Sequence, residues 1–465
     1  MLARKAYDKL LAWKQQPKKK ALCILGARQT GKTTLIRQFG RQEYVHFVEV
    51  NFITDTGAAQ IFAGDLDADT LITNLTAYTR QVMVPGQTLV LLDEIQACPN
   101  ARTAIKFLVE DGRFDYIESG SLLGVNYKEV RSYPVGFEEI YQLYPMDFEE
   151  YARANGVQES TIQYLKTCYE TTSPVTEAVH ETMCKLFFSY LVVGGMPDVV
   201  QTYVDTHDIA QVIARQRDIL ALYRLDIAQY AQGNDKLKIR AIFDSIPAQL
   251  SEKNRLFILA ALDPNGRQQR YADSFQWLAD AGVALPCYNV TEPQPPLRLN
   301  VTEPQPPLRL NEKHNLFKLF QGDTGLLCAA CMENVQFALL NGDLQINMGS
   351  ILENVVAQEL KAHGFQLNYY DGKKTGEIDF VLQNGMQVDL LEVKSGKDFK
   401  RHSALDRMRR VEGWRFGQAT VLCKGNVAVE NGVRYLPWYM TLFLGSYQPP
   451  KEMKYEIDLS ALQNG

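Results

Sequence analysis

Ala21-Leu22-Cys23-Ile24-Leu25 is an unbroken apolar run, and it feeds directly into Gly26-Ala27-Arg28-Gln29-Thr30-Gly31-Lys32-Thr33-Thr34. A short run of this kind suits a strand buried on both faces of a parallel sheet. The glycine-rich segment after it satisfies G-x-x-x-x-G-K-[ST], and chemistry accounts for the spacing. Gly26 and Gly31 permit a tight loop whose backbone N–H groups, from Gly26 to Thr34, turn inward on phosphate oxygens. Lys32 reaches the β- and γ-phosphates, the Thr33 hydroxyl is placed to ligate Mg²⁺, and the helix starting at Lys32 aims its positive end at the same anion. Strand before and helix after are the context this loop requires. ATP and Mg²⁺ are the expected cofactors.

A second strand, Thr88-Leu89-Val90-Leu91-Leu92-Asp93, ends in Asp93 and Glu94. Asp93 is expected to hold Mg²⁺ through water, and Glu94 to polarise the water that attacks the γ-phosphate. The plain alternative is a pair of acids capping the next helix. Another apolar run spans 45–52, and Tyr116-Ile117-Glu118-Ser119-Gly120-Ser121 is a strand ending in hydroxyls. Strands alternating with helices specify a parallel sheet with its ligand site at the strand C-termini.

The stretches GARQTGKTT, LVLLDEIQ, IESGSLLG and PVGFEEIYQLYPMDFEEY carry a family likeness. Through them the chain resembles the AAA-type P-loop ATPases, in particular a prokaryotic archaeal ATPase-like group with a C-terminal domain of uncharacterised function. The resemblance implies that Ser119 or Ser121 senses the γ-phosphate. It also implies that Arg131 is an arginine finger given to a neighbouring subunit, with Arg102 and Arg113 as rivals and a solvated surface arginine as the plain alternative. A finger of that kind implies a homo-oligomeric ring or partial ring. Residues 151–260 have helical periodicity interrupted at Gly194-Gly195-Met196-Pro197 and resemble the family's helical lid and connector. Arg215, Arg217 and Arg224 fall on polar faces and are expected to be structural.

At 465 residues the chain is too long for one ordinary core. With 46% hydrophobic and 22% charged residues and a net charge of −5, it reads as a soluble globular protein. That balance argues against nucleic acid coating the whole surface and leaves room for a local basic groove. Among eight cysteines only Cys328 and Cys331 are close, so reduced core thiols are expected and no zinc site. The N-terminus reads as a basic amphipathic helix without the apolar core of a signal peptide. No apolar run approaches the ~20 residues of a membrane span, so the expected location is cytoplasmic, away from membranes, and the Asn-X-Thr triplets at Asn74, Asn289 and Asn300 carry no weight. NVTEPQPPLRL occurs twice in tandem, at 289–299 and 300–310. It reads as an insertion in an exposed loop or a sequence artefact. Around it, a turn at 263–266, a helix over 270–281 and strands over 284–290 and 317–321 suggest a winged helix. Arg267, Gln268, Gln269 and Arg270 would then meet DNA, although winged helices also serve as protein-contact modules.

Further on, Asn384-Gly385 lies between two apolar-rich strands and signals a two-residue type I′ turn. Such a turn pairs Gln383 with Met386, sets Asp379 opposite Leu390 and sets Glu377 opposite Glu392. Side chains alternate, so Glu377, Asp379, Glu392 and Lys394 share one face. Asp379 and Glu392 become diagonal neighbours with Cβ atoms roughly 7 Å apart, close enough to share one divalent cation. Lys394 is placed to orient water or stabilise phosphate charge.

Asp379 followed by Glu392-x-Lys394, behind a helix over 350–363, resembles the restriction-endonuclease-like PD-(D/E)XK fold. The resemblance implies Glu353 as the helical acid, with Glu359 as rival, and a later helix over 403–411 and strand over 419–423. Many relatives keep the shape and lose the activity. A basic stretch of Lys397, Lys400, Arg401, Arg407, Arg409, Arg410 and Arg415 beside Trp414 favours nucleic acid, DNA above all. The expected fold class is α/β: a P-loop AAA-type ATPase domain (1–150), a helical lid or connector (151–260), a winged-helix-like module (261–345) and an α/β restriction-endonuclease-like domain (346–465). The expected function is Mg²⁺-dependent ATP hydrolysis coupled to DNA binding and cleavage by the C-terminal half. The alternative is a nucleotide-gated regulatory ATPase whose nuclease-like domain is inactive and binds nucleic acid or a protein partner.

Overall fold

A computed structural model of the chain describes residues 2–120, 134–230, 235–252, 255–290, 308–331, 336–340, 348–385, 387–411, 414–446 and 454–457. Strands β1 (Ala21–Leu25), β2 (His46–Asn51), β3 (Thr88–Asp93), β4 (Asp115–Gly120) and β5 (Glu138–Gln142) form one parallel sheet in the order β2-β3-β4-β1-β5. Every residue of β1 and β3 is buried, because helices cover both faces. Leu22, Ile24, Leu89 and Leu91 pack on the N-terminal helix Ala6–Lys14 and on Lys32–Glu43. Val48, Val90 and Leu92 pack on the far side with Leu71, Leu75, Ile105 and Leu108. The parallel register brings the C-terminal ends of three strands level, pairing Asn51 with Asp93 and Asp93 with Ser119.

The middle is helical, from Phe148–Ala154 through Asp235–Ser251. A capping box between Asp147 and Glu150 starts the first of these helices. The Gly194-Gly195 turn is required by close approach, since a Cβ on Gly195 would lie 2.1 Å from the Met146 carbonyl oxygen. The buried Asp323 carboxylate accepts from the Gly195 N–H at 2.6 Å and fixes this turn.

The remaining strands are β6 (Ala284–Asn289), β7 (Lys313–Gln321), β8 (Asn368–Gly372), β9 (Gly376–Ile378), β10 (Phe380–Asn384), β11 (Gln387–Val393), β12 (Ala419–Cys423), β13 (Ala428–Glu430) and β14 (Val433–Pro437). They make two sheets, β7-β6-β8-β9 and β10-β11-β12-β14-β13. Strand β6 runs parallel to β8, so the segment anticipated as a winged helix shares a sheet with the C-terminal segment. One apolar core also runs through both, from Met146 and Phe187 to Phe320, Val355 and Trp438. The helix of the proposed wing covers Ala272–Asp280, and Gln268–Arg270 is a single 3-10 turn. Most of the duplicated proline segment, 291–307, lies outside the described residues.

The hairpin register differs from the expected one. Gln383 pairs with Val388 and Asn384 with Gln387. Asn384 stays in the ladder, its side-chain amide donating to Asp389 at 3.3 Å, so the turn falls one residue later than anticipated. The slip is two residues in pairing, which preserves side-chain faces. The strand is also broken at Asp379: β9 belongs to one sheet and β10 to the other, and Glu377 pairs with Asp371 rather than facing Glu392. The helix anticipated over 350–363 spans Met348–Ala362, with Gly364 in the left-handed region at φ 88° beyond it.

All eight cysteines are free thiols, and Cys331 alone is exposed. Among the described residues no helix is long and apolar enough to cross a membrane.

Candidate functional sites

The loop between β1 and the helix Lys32–Glu43 is closed by its own polar groups. A Cβ on Gly26 would lie 2.3 Å from the Leu143 carbonyl oxygen, and Gly31 sits at φ 84°, so both positions demand glycine. Gln29 is also left-handed, at φ 67°. The Thr30 hydroxyl donates to the Ala27 carbonyl at 2.9 Å, and the Tyr223 hydroxyl from the helical segment donates to that of Arg28 at 3.0 Å. The Arg28 guanidinium pairs with Asp226 at 3.0 Å. Lys32 is buried, and its ammonium donates to the carbonyls of Gly26 and Ala27 at 2.9 Å each. Burial pushes its pKa down to about 8, against the pull of Glu94 and Asp93.

At the strand ends, the Thr33 hydroxyl donates to both oxygens of Asp93 at 3.2 Å. Asn51 donates to the same carboxylate at 2.8 Å, and Ser119 donates to it as well. Glu94 adopts a left-handed backbone at φ 55° and accepts from Gln96. Ser121 and Arg131 lie outside the described residues. Arg102 is buried and its guanidinium bonds Glu138 at 2.7 Å, while Arg113 forms surface pairs with Asp111 and Asp69. Asn51 was not anticipated; a polar residue ending an apolar strand is its only signal in the sequence. A cavity of about 400 Å³ adjoins the loop, lined by Leu2, Arg4, Gly31, Thr34, Leu35 and Pro197. Arg4 fixes this corner by donating to the Thr30 carbonyl at 2.9 Å and to Glu150 at 3.1 Å.

The second site lies where β7, β9, β11 and the helix Met348–Ala362 meet. Asp379, at the bend between β9 and β10, accepts from the Val393 N–H at 2.8 Å, which sets it beside Glu392 rather than diagonal to it. Glu392 is buried and pairs with Lys394 at 2.8 Å. Glu353 faces the same space; burial and then Asp379 push its pKa up, and burial, Asp379 and Glu353 do so for Glu392. Glu359, the rival acid, points elsewhere: it accepts from the Phe148 N–H and the Tyr190 hydroxyl, both at 2.9 Å.

Two cations not foreseen complete the site. Lys318 on β7 is wholly buried, 3.3 Å from Glu353 and 2.5 Å from Glu377. Burial works against its charge, yet Glu353, Asp379 and Glu377 hold its pKa above the ordinary value. Arg255 pairs with the other oxygen of Glu353. The carboxylates of Glu353, Asp379 and Glu392 do not all lie within 4.8 Å of one another, a closeness that among the described residues only Cys23, Glu118 and Glu138 reach.

Residues 18–152 match a family described as an AAA domain, and 184–336 and 348–440 match two families described as domains of unknown function. With the sheet order and the loop geometry, this makes the N-terminal region an AAA P-loop domain, the nucleotide-binding part of an ATPase. No curated protein matches the chain. Among solved structures it is similar to a Walker-type ATPase of Pyrococcus abyssi, at 13% identity over 71% of this chain and 96% of that one, with a TM-score of 0.38. It is also similar to the Orc1 protein of Aeropyrum pernix in complex with DNA (13%, 73% and 94%, 0.27). Domain III of the Thermotoga maritima replication initiation protein DnaA is a third (15%, 47% and 94%, 0.28). At such identities and scores none of the three bears on function.

Proposed function

We propose that the chain is a Mg²⁺-dependent, ATP-hydrolysing AAA protein whose C-terminal site binds nucleic acid, DNA above all, and cleaves it. For the ATPase the carrying observation is Asp93, gripped by Thr33, Asn51 and Ser119 beside the phosphate loop. Thr33 and Asp93 would hold Mg²⁺, whose chemistry there is to neutralise charge on the phosphates. Lys32 exchanges two carbonyl partners for phosphate oxygens. The left-handed backbone at Glu94 turns its carboxylate out of the strand to orient the attacking water. Ser119, with Ser121 as its alternative, reports the γ-phosphate, and Arg131 serves a neighbouring subunit. The cavity beside Gly31 takes the nucleoside. Glu94→Gln is expected to bind ATP and release phosphate at least ~10²-fold more slowly; a filter-binding and phosphate-release pair checks it, and rapid release would remove Glu94 from its role.

For the C-terminal site the carrying observation is convergence. Glu353 from a helix, Asp379 from a bend, and Glu392 and Lys394 from one strand meet in one place. Burial, and then the charge of Asp379, raise the Glu353 and Glu392 pKa values, a state that a divalent cation would relieve once the three carboxylates close on it. Such a cation would supply Lewis acidity at a phosphodiester. Lys394 would donate to the attacking water or the phosphate. A second reading also has its observation: Lys318 and Arg255 already neutralise Glu353, which favours nucleic-acid or partner binding without cutting. Plasmid and single-stranded DNA, incubated with Mg²⁺ or Mn²⁺ with and without ATP, separate the two. Cleavage by the wild type and none by Asp379→Asn supports the nuclease; intact DNA under every condition leaves the binding reading.

A further inference from the structure

Within the AAA domain, on the sheet face covered by the helix Pro99–Asp111, three potential metal-binding side chains meet that the nucleotide chemistry does not use. Cys23 on β1 and Glu118 on β4 are register partners on adjacent strands. Glu138 opens β5, paired with Ala21, whose side chain shares a face with that of Cys23. One ligand atom from each of Cys23, Glu118 and Glu138 lies within 4.8 Å of the others. Glu118 is wholly buried, and neither of its carboxylate oxygens has a hydrogen-bond partner among the described residues. A buried acid with both oxygens unsatisfied calls for an explanation. Arg102 supplies only part of one: its guanidinium donates to Glu138 at 2.7 Å and to the Cys23 sulfur at 3.7 Å, and forms only a long ion pair with Glu118 at 3.8 Å.

We infer that Cys23, Glu118 and Glu138 form a binding site for one thiophilic divalent cation of the zinc class. A thiolate and two carboxylates against one guanidinium leave two negative charges, which a divalent cation cancels. The sulfur selects against Mg²⁺ and Ca²⁺, which take oxygen ligands, and for zinc-class ions. Zn²⁺–sulfur and Zn²⁺–oxygen bonds of about 2.3 and 2.1 Å put tetrahedral ligand atoms about 3.5 Å apart, so these three, within 4.8 Å of one another, need to close by about 1.3 Å at most. Arg102 then holds Glu138 from outside, as a carboxylate ligand requires. Binding releases the thiol proton of Cys23 and the proton that burial keeps on Glu118, and water or a second Glu138 oxygen fills the fourth position. The Glu138 side chain retains 8% exposure and gives the ion its entrance. Cys23 lies just before the phosphate loop and Glu118 next to Ser119, so the ion would tie the loop-bearing strand to the strand that senses phosphate.

The test uses the full chain, stripped with chelator and carrying Cys331→Ser so that the exposed thiol makes no contribution. Cd²⁺ is titrated in excess Mg²⁺, which occupies the nucleotide site and competes for the C-terminal acids. The expected result is one equivalent of Cd²⁺ with a thiolate-to-metal charge-transfer absorption in the ultraviolet. That band disappears in Cys23→Ser, and the affinity falls at least tenfold in Glu118→Gln, which keeps the shape and loses the charge. Circular dichroism verifies that both variants fold; if Cys23→Ser does not, Glu118→Gln and the wild-type stoichiometry decide. No single-equivalent band in the wild type, or an undiminished band in the folded variants, overturns the site.

Discussion

Lys32→Ala is expected to lose ATP turnover by about 10²–10³-fold and to bind nucleotide more weakly. The ammonium is buried against two backbone carbonyls that carry no net charge, and burial drives its pKa down to about 8 against the pull of Glu94 and Asp93. A triphosphate would supply a compact anion that stabilises the ammonium and is held by it through the transition state. Alanine removes the cation, and with it the attraction at the point where charge develops. The loop fold itself is held by Thr30, Arg4 and Tyr223 and survives the change. Lys32→Arg keeps the charge, yet its planar fork is wider than the cradle and recovers only part of the rate. Steady-state phosphate release, with a fluorescent nucleotide to follow binding, reads both effects. Full turnover in Lys32→Ala would remove the assignment of the loop.

The candidate nucleotide site was legible where its parts are local. Gly26, Gly31, Lys32 and Thr33 are fixed by one tight loop, Asp93 ends an apolar strand, and Ser119 lies one residue before the end of β4. Asn51 was not, since only the sheet register lifts it beside Asp93. The hairpin was read to the correct face and the wrong register. Parity follows from alternation alone, whereas register depends on whether Asn384 stays in the ladder, which its bond to Asp389 decides. Helical spacing could not choose between Glu353 and Glu359, both buried; the partners that separate them come from β7 and from the Phe148 helix, far away in sequence. The same limit hid Lys318, the lysine set in the apolar half of its strand, whose acids arrive from three other elements.

Lys318→Met is the most damaging substitution expected in the C-terminal half. The side chain is wholly buried and bonds Glu353 and Glu377, while Asp379 adds to the field that keeps it charged. Methionine preserves most of the volume and removes the cation that lies between Glu353 and Glu377; Arg255 reaches just one oxygen of Glu353, and Lys394 pairs with Glu392. Deleting one partner of a buried ion pair leaves an uncompensated charge and costs about 3–5 kcal/mol. Lys318→Met with Glu353→Gln removes the pair together and is expected to recover much of that loss, a coupling visible in urea or thermal midpoints. Metal dependence then separates the two readings of this site. If Asp379, Glu353 and Glu392 can hold a divalent cation, Mn²⁺ takes over the role of the missing ammonium, and the single variant regains stability with Mn²⁺ by more than the wild type does. If the acids serve only as partners for Lys318 and Arg255, Mn²⁺ leaves the variant as unstable as before, and the cutting chemistry proposed for Asp379 and Lys394 is lost with it.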